Sequence, residues 1–82
     1  MNTLRGLDRI TFDSRIMAGQ ACIRGMRITA ALLVNLVAHG QLVEEIISAY
    51  PFLEPEDIRQ ALEYASLLAS DRVIIDDMSL AA

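Results

Sequence analysis

The ten residues from Ala30 to His39, bracketed by Thr29 and Gly40, constrain this 82-residue chain more than any other stretch. Only Asn35 and His39 are polar among them, and their i, i+4 spacing puts both on one narrow stripe. Thr29 offers an N-cap hydroxyl, and Gly40 stands where a C′ glycine closes a helix. The segment therefore predicts a helix that is apolar on nearly every side. Such a helix is either central in a bundle or shared with a second subunit, since a chain this short can hardly bury it all round. A homodimer is the expectation. The longest unbroken apolar run, Ala30 to Val34, is far shorter than the ~20 residues a membrane helix needs, so no membrane partner is expected.

Around that helix the pattern changes twice. Ile10 to Phe12 is a short β-prone piece closed by Asp13, Ser14 and Arg15. Cys22-Ile23 and Arg27-Ile28-Thr29 flank Arg24-Gly25-Met26 and predict two short strands joined at Gly25, with Gly19 turning the chain into the first. Downstream, Val43, Ile46, Ile47 and Tyr50 mark a second helix that Pro51 stops. A third begins at Pro55, with Glu56 and Asp57 at the positive end of its dipole. Ile58, Ala61, Leu62, Ala65, Leu68 and Ala69 form its expected buried face, with Gln60, Tyr64 and Leu67 as a half-covered flank. A seven-residue helix, a turn over Tyr50 to Glu54 and a longer helix match a helix-turn-helix layout. The fold expected is mainly α: a three-helix bundle of helix-turn-helix type with a short N-terminal β-hairpin. The chain divides into an N-terminal arm and hairpin (1–29), the helical body (30–70) and an acidic tail (71–82), all one domain.

Charge is distributed unevenly. Seven Arg and no Lys oppose eleven acids for a net charge of −4. The segment up to Thr29 holds Arg5, Arg9, Arg15, Arg24 and Arg27 against Asp8 and Asp13, whereas only Arg59 and Arg72 oppose nine acids thereafter. A basic end and an acidic body could meet different partners, or could pack against each other. Arg24 and Arg27 flank Gly25 and could hold phosphates, or one could pair with an acid of the body. Arg59 and Gln60 lie on the expected recognition helix and can contact base edges, although Glu56, Asp57 and Glu63 around them repel phosphate.

Catalysis is not expected. His39 is the only histidine and lies far in sequence from Cys22, the only cysteine. Cys22 reads as a small buried hydrophobe, and its lack of a partner favours a reducing cytoplasm. The Cys and His content does not suit zinc, and no cofactor is implied. The carboxylate pairs Glu44/Glu45, Glu56/Asp57 and Asp76/Asp77 read as solvated faces. In the tail, Val73-Ile74-Ile75 followed by Asp76 and Asp77 could pair with a partner's strand edge while supplying charge, or could cover the open end of the chain's own core.

The order Ile10-Thr11-Phe12, then Gly19 to Ile28 with Ile23-Arg24-Gly25-Met26-Arg27-Ile28, then Gly40, Glu44-Glu45-Ile46, Tyr50-Pro51-Phe52-Leu53 and Asp57 to Ala65 resembles the bacterial "domain of unknown function 433" family. Its motif positions here are Gly19, Ile23, Arg24, Gly25, Arg27, Ile28, Tyr50, Pro51 and Leu53. The chain departs from the family pattern at Gln20-Ala21, Met26 and Leu42. The resemblance implies a homeodomain-like fold and the antitoxin half of a bacterial type II toxin–antitoxin pair. Such a protein neutralises a PIN-like nuclease toxin by direct binding and represses its own operon by binding operator DNA. The rival expectation is a homo-oligomeric interaction module that binds no DNA.

Overall fold

The structure, a computed structural model, describes residues 1–70 of the chain. It runs β1 (Asn2–Leu4), β2 (Leu7–Phe12), a 3-10 turn (Met17–Gly19), β3 (Cys22–Ile23), α1 (Ala30–Ala38), α2 (Val43–Ala49) and α3 (Pro55–Ala69). The three strands form one antiparallel sheet in the order β1-β2-β3. Leu4 faces Leu7 across a tight turn at Arg5-Gly6, with an irregularity between Thr3 and Leu4. On the other side of β2, Ile10 pairs with Ile23 and Thr11 with Cys22.

This corrects the expected three-helix bundle of helix-turn-helix type: the domain is a small mixed α/β unit. The reason lies in the core. Leu7 and Ile10 from β2 and Ile23 from β3 are buried together with Ile28, Ala30, Leu33, Ile46, Leu53, Ile58 and Ala61. A sheet that supplies this share of the core is a packing layer, and α3 lies directly against β2. The expected hairpin across Gly25 is corrected as well. Beyond Ile23 its second arm is reduced to an isolated bridge between Cys22 and Thr29, with the Ile23 N–H donating to the Ile28 carbonyl at 3.0 Å. β3 finds its ladder partner in β2 instead.

The helices stand where the apolar spacing placed them. Thr29 caps α1, its hydroxyl accepting from the Leu32 N–H at 3.1 Å, and Gly40 follows the C-terminal turn at φ +92°. α1 is less enclosed than expected: Ala30 and Leu33 are buried, whereas Ala31, Asn35 and Ala38 face outward. The expected buried face of α3 holds at Ile58 and Ala61 and fails at Leu62, Leu68 and Ala69, which are exposed. The reason is that α3 outruns its supports, so its last two turns have little to cover them. The tail (71–82), with Val73, Ile74, Ile75, Asp76 and Asp77, lies outside the described residues.

A candidate interaction site around the Arg24 turn

Ile23 to Met26 make a tight turn closed by the Met26 N–H on the Ile23 carbonyl at 2.8 Å. Both central residues have positive φ, Arg24 at +48° and Gly25 at +72°. That pair of angles belongs to the hairpin turns whose twist matches flanking strands, and it suits glycine far better than arginine. Three anchors hold the arginine there. Its N–H donates to the Arg9 carbonyl at 2.8 Å, the Gly25 N–H donates to Thr11 Oγ1 at 2.9 Å, and the guanidinium reaches α3.

Asp57 receives that guanidinium. Arg24 Nε donates to Oδ1 at 2.9 Å and Nη2 to Oδ2 at 2.8 Å, a two-pronged pair that is well suited to arginine and a carboxylate. Nη2 also donates to the Phe52 carbonyl at 2.8 Å. Arg9 Nη1 adds a third guanidinium contact to Asp57 Oδ1 at 3.1 Å and also bonds Glu54. The Glu54 N–H at the start of α3 donates to Asp57 Oδ2 at 2.8 Å. Asp57 is fully buried, and its expected solvated role is thereby corrected. Burial alone raises its pKa, but the bonds from Arg24, the Glu54 N–H and Arg9 outweigh burial and hold it below the usual carboxylate range.

Gln60 is also corrected. It is buried rather than exposed and makes no surface for base contact. Its Oε1 accepts from the Arg9 N–H at 2.9 Å, while Nε2 donates to Asp8 Oδ1 and Glu56 Oε2 at 2.9 Å each. The side chain is a rivet between β2 and α3. Arg59 is exposed, yet Glu56 holds it through two bonds of 2.8 Å, and Glu63 lies 3.8 Å away. The bonds from Arg59 and then Gln60 pull the Glu56 carboxyl down to about 2.

The sequence candidates thus separate. Arg24 and Gln60 lie in one polar network under the start of α3, with Arg59 at its edge and Arg27 on the exposed side of the turn. Arg15 closes on Asp13 and draws that carboxyl down to about 2. Among the described residues, Arg5 and Arg27 make no ion pair. The packing of a basic segment against an acidic body is therefore what Arg9 and Arg24 do. Cys22 is buried as expected, and burial pushes its thiol pKa up. His39 is exposed, with Nδ1 at 2.7 Å from the Asn35 carbonyl.

Sequence reasoning missed Asp57 and Arg9 as partners of Arg24. One signal existed: Asp57 stands at the N3 position of a helix entered through Glu54-Pro55, where an acid bonds back to the N-cap N–H.

Outside the network, Leu42, Val43, Phe52, Leu62 and Leu67 are exposed in the stretch from α2 to α3, and so are the acids Glu44, Glu45 and Glu63. No group of three or more metal-ligating side chains occurs among the described residues, and none of their helices is long and apolar enough to cross a membrane. A family model described as "Protein of unknown function (DUF433)" matches residues 10–65, the span that holds the end of β2, the Arg24 turn and Asp57. Comparison with curated proteins and with solved structures finds no match.

Proposed function

The chain belongs to the DUF433 family, and from that membership we propose that it is an antitoxin-like binding protein that neutralises a PIN-like nuclease by direct contact. The observation that carries this reading is the acidic and apolar surface of α2 and α3. Leu42, Phe52 and Leu62 are exposed along α2, the turn after it and α3, and so are Glu44, Glu45 and Glu63. A nuclease must attract phosphate, so its substrate groove is basic. An acidic surface with apolar anchors complements such a groove in both charge and chemistry. A cytoplasmic location belongs to the same proposal.

Repression of its own operon, the other half of the antitoxin reading, is proposed to use Arg5 and Arg27, which make no ion pair among the described residues. The network around Asp57 already occupies Arg9 and Arg24.

The test is co-expression with the neighbouring PIN-like reading frame, followed by an RNA-cleavage assay on the purified pair. Inhibition that is lost with Phe52→Asp or Leu62→Asp, in variants that keep the native thermal midpoint, supports the proposal. A neighbouring nuclease that cleaves equally well with and without the chain overturns it. The same exposed apolar residues favour a second reading, a homo-oligomeric interaction module. Sedimentation equilibrium separates the two: an oligomer that dissociates with Leu62→Asp, and no effect on any adjacent nuclease, selects the module.

A further inference from the structure

α1 and α3 leave an open groove of about 550 Å³ between them. Ala31, Val34 and Ala38 line it from α1, and Tyr64, Ala65 and Leu68 line it from α3. Two features of opposite shape share this face. The α1 side is low at Ala31 and Ala38, which are exposed and carry only a methyl group. The α3 side carries Leu68, which is 69% exposed because the last turns of that helix outrun their supports. An apolar side chain so open to water, beside an apolar groove, marks a contact surface.

Shape and charge choose the occupant. A two-fold contact sets a patch against its own copy, so the patch must hold both a projection and a recess. This face holds both, Leu68 as the projection and the groove as the recess. Its polar side chains are Gln20, Asn35 and Tyr64. Each can donate and accept a hydrogen bond, so each can meet its like. No charged side chain lines the groove. With a net charge of −4 on each chain, two copies approach with least repulsion where the surface is uncharged. The same neutrality gives a charged partner nothing to steer on. A small ligand is best held by a cleft that covers most of its surface, and this groove is open. Size then sets the strength. Ten residues line the groove, against about 20–30 on each side of a standard interface, so the contact belongs with the small and readily reversible ones.

We propose that a second copy of the chain covers this face, with the two domains related by a two-fold axis and Leu68 of each seated in the α1–α3 groove of the other. The inference goes beyond both readings above and rests on neither, since Leu42, Phe52 and Leu62 are not among the residues it uses.

The experiment is sedimentation equilibrium of the full chain from low to high micromolar concentration. The wild type is expected to pass reversibly from monomer to dimer. Ala38→Arg puts a charge in the recess and Leu68→Asp puts one on the projection, both at exposed positions. Each should raise the dissociation constant about tenfold or more while the thermal midpoint of the dilute chain is kept. Leu62→Asp should leave the dissociation constant unchanged. In the wild type, the amide resonances of Ala31, Ala38 and Ala65 should shift with concentration along one isotherm, and that of Ser48 on α2 should not. These resonances decide the matter if either variant proves unstable. A monomer throughout, a dimer that either stable variant leaves intact, or groove resonances independent of concentration overturns the proposal.

Discussion

Asp57 is the residue on which the two ends of the domain meet. Its carboxylate takes two bonds from Arg24, one from Arg9 and one from the Glu54 N–H, with no exposure to solvent. Removing one partner of a buried pair strands the other charge, which is costlier than never having made the pair. Arg24→Ala is therefore expected to destabilise the fold by about 2–3 kcal/mol in urea titrations, the retained Arg9 contact keeping the loss at the low end. Arg27→Ala, on the exposed side of the same turn, should leave the midpoint nearly unchanged. The pH dependence follows from the same carboxylate. Its pKa in the folded chain lies below the ordinary value of about 3.9, so the unfolded chain binds the proton first as pH falls. The stabilisation is complete above the ordinary value and is lost as pH drops through the lower one. Thermal midpoints should thus fall as pH drops below about 4 in the wild type, and Asp57→Asn should start lower and fall less steeply. Glu56 and Asp13 are pulled down to about 2 by Arg59 and Arg15, whose own side chains lie in solvent. Added salt should weaken their share and leave that of Asp57.

Elements differ in how well their residues announce them. α1, α2 and α3 were legible because each carries a start or stop in its own residues: Thr29 and Gly40, Pro51, and Pro55 with its acidic first turn. Thr29→Ala removes the side-chain N-cap of α1 and is expected to cost about 1 kcal/mol in chemical denaturation. The sheet was legible only in part. β1 has three residues, mostly exposed, and β2 buries Leu7, Ile10 and Thr11, which is not the strict alternation of a half-buried strand. That burial follows the i, i+3, i+4 spacing of a helix, so what makes β2 a central strand is its neighbours on both sides, and pairing of that kind is not written in any one segment. The Arg24 turn shows the same limit. Gly25 announced the turn, whereas the positive φ of Arg24 and the depth of Asp57 are fixed by contacts 33 residues away in sequence. Gly25→Ala is expected to destabilise by about 1 kcal/mol from its φ of +72°. The added carbon would meet only the flexible end of Met1, so the backbone sets the cost.

At the scale of the whole molecule, charge decides which partners the domain can attract. The net charge is −4, and the ion pairs of the described residues draw Arg9, Arg15, Arg24 and Arg59 onto acids of the chain itself. Arg5 and Arg27 are left facing solvent. Each phosphate contact formed by a cation releases counterions and adds about 0.9 to the slope of log affinity against log salt. Two such contacts, those open to the described residues, supply a slope of about −2 per chain, the size of a weak, sequence-independent attraction. A fluorescence-anisotropy titration against the DNA upstream of the operon, repeated from low to moderate salt, reads this number directly. A shallow slope that Arg27→Ala lowers by about one unit, and that Arg59→Ala leaves alone, is the expected result. A slope of −4 or steeper that Arg24→Ala also lowers would mean that Arg24 lets go of Asp57 on binding. The domain would then open its own core network to hold DNA, and Arg24→Ala would weaken binding as severely as it weakens the fold.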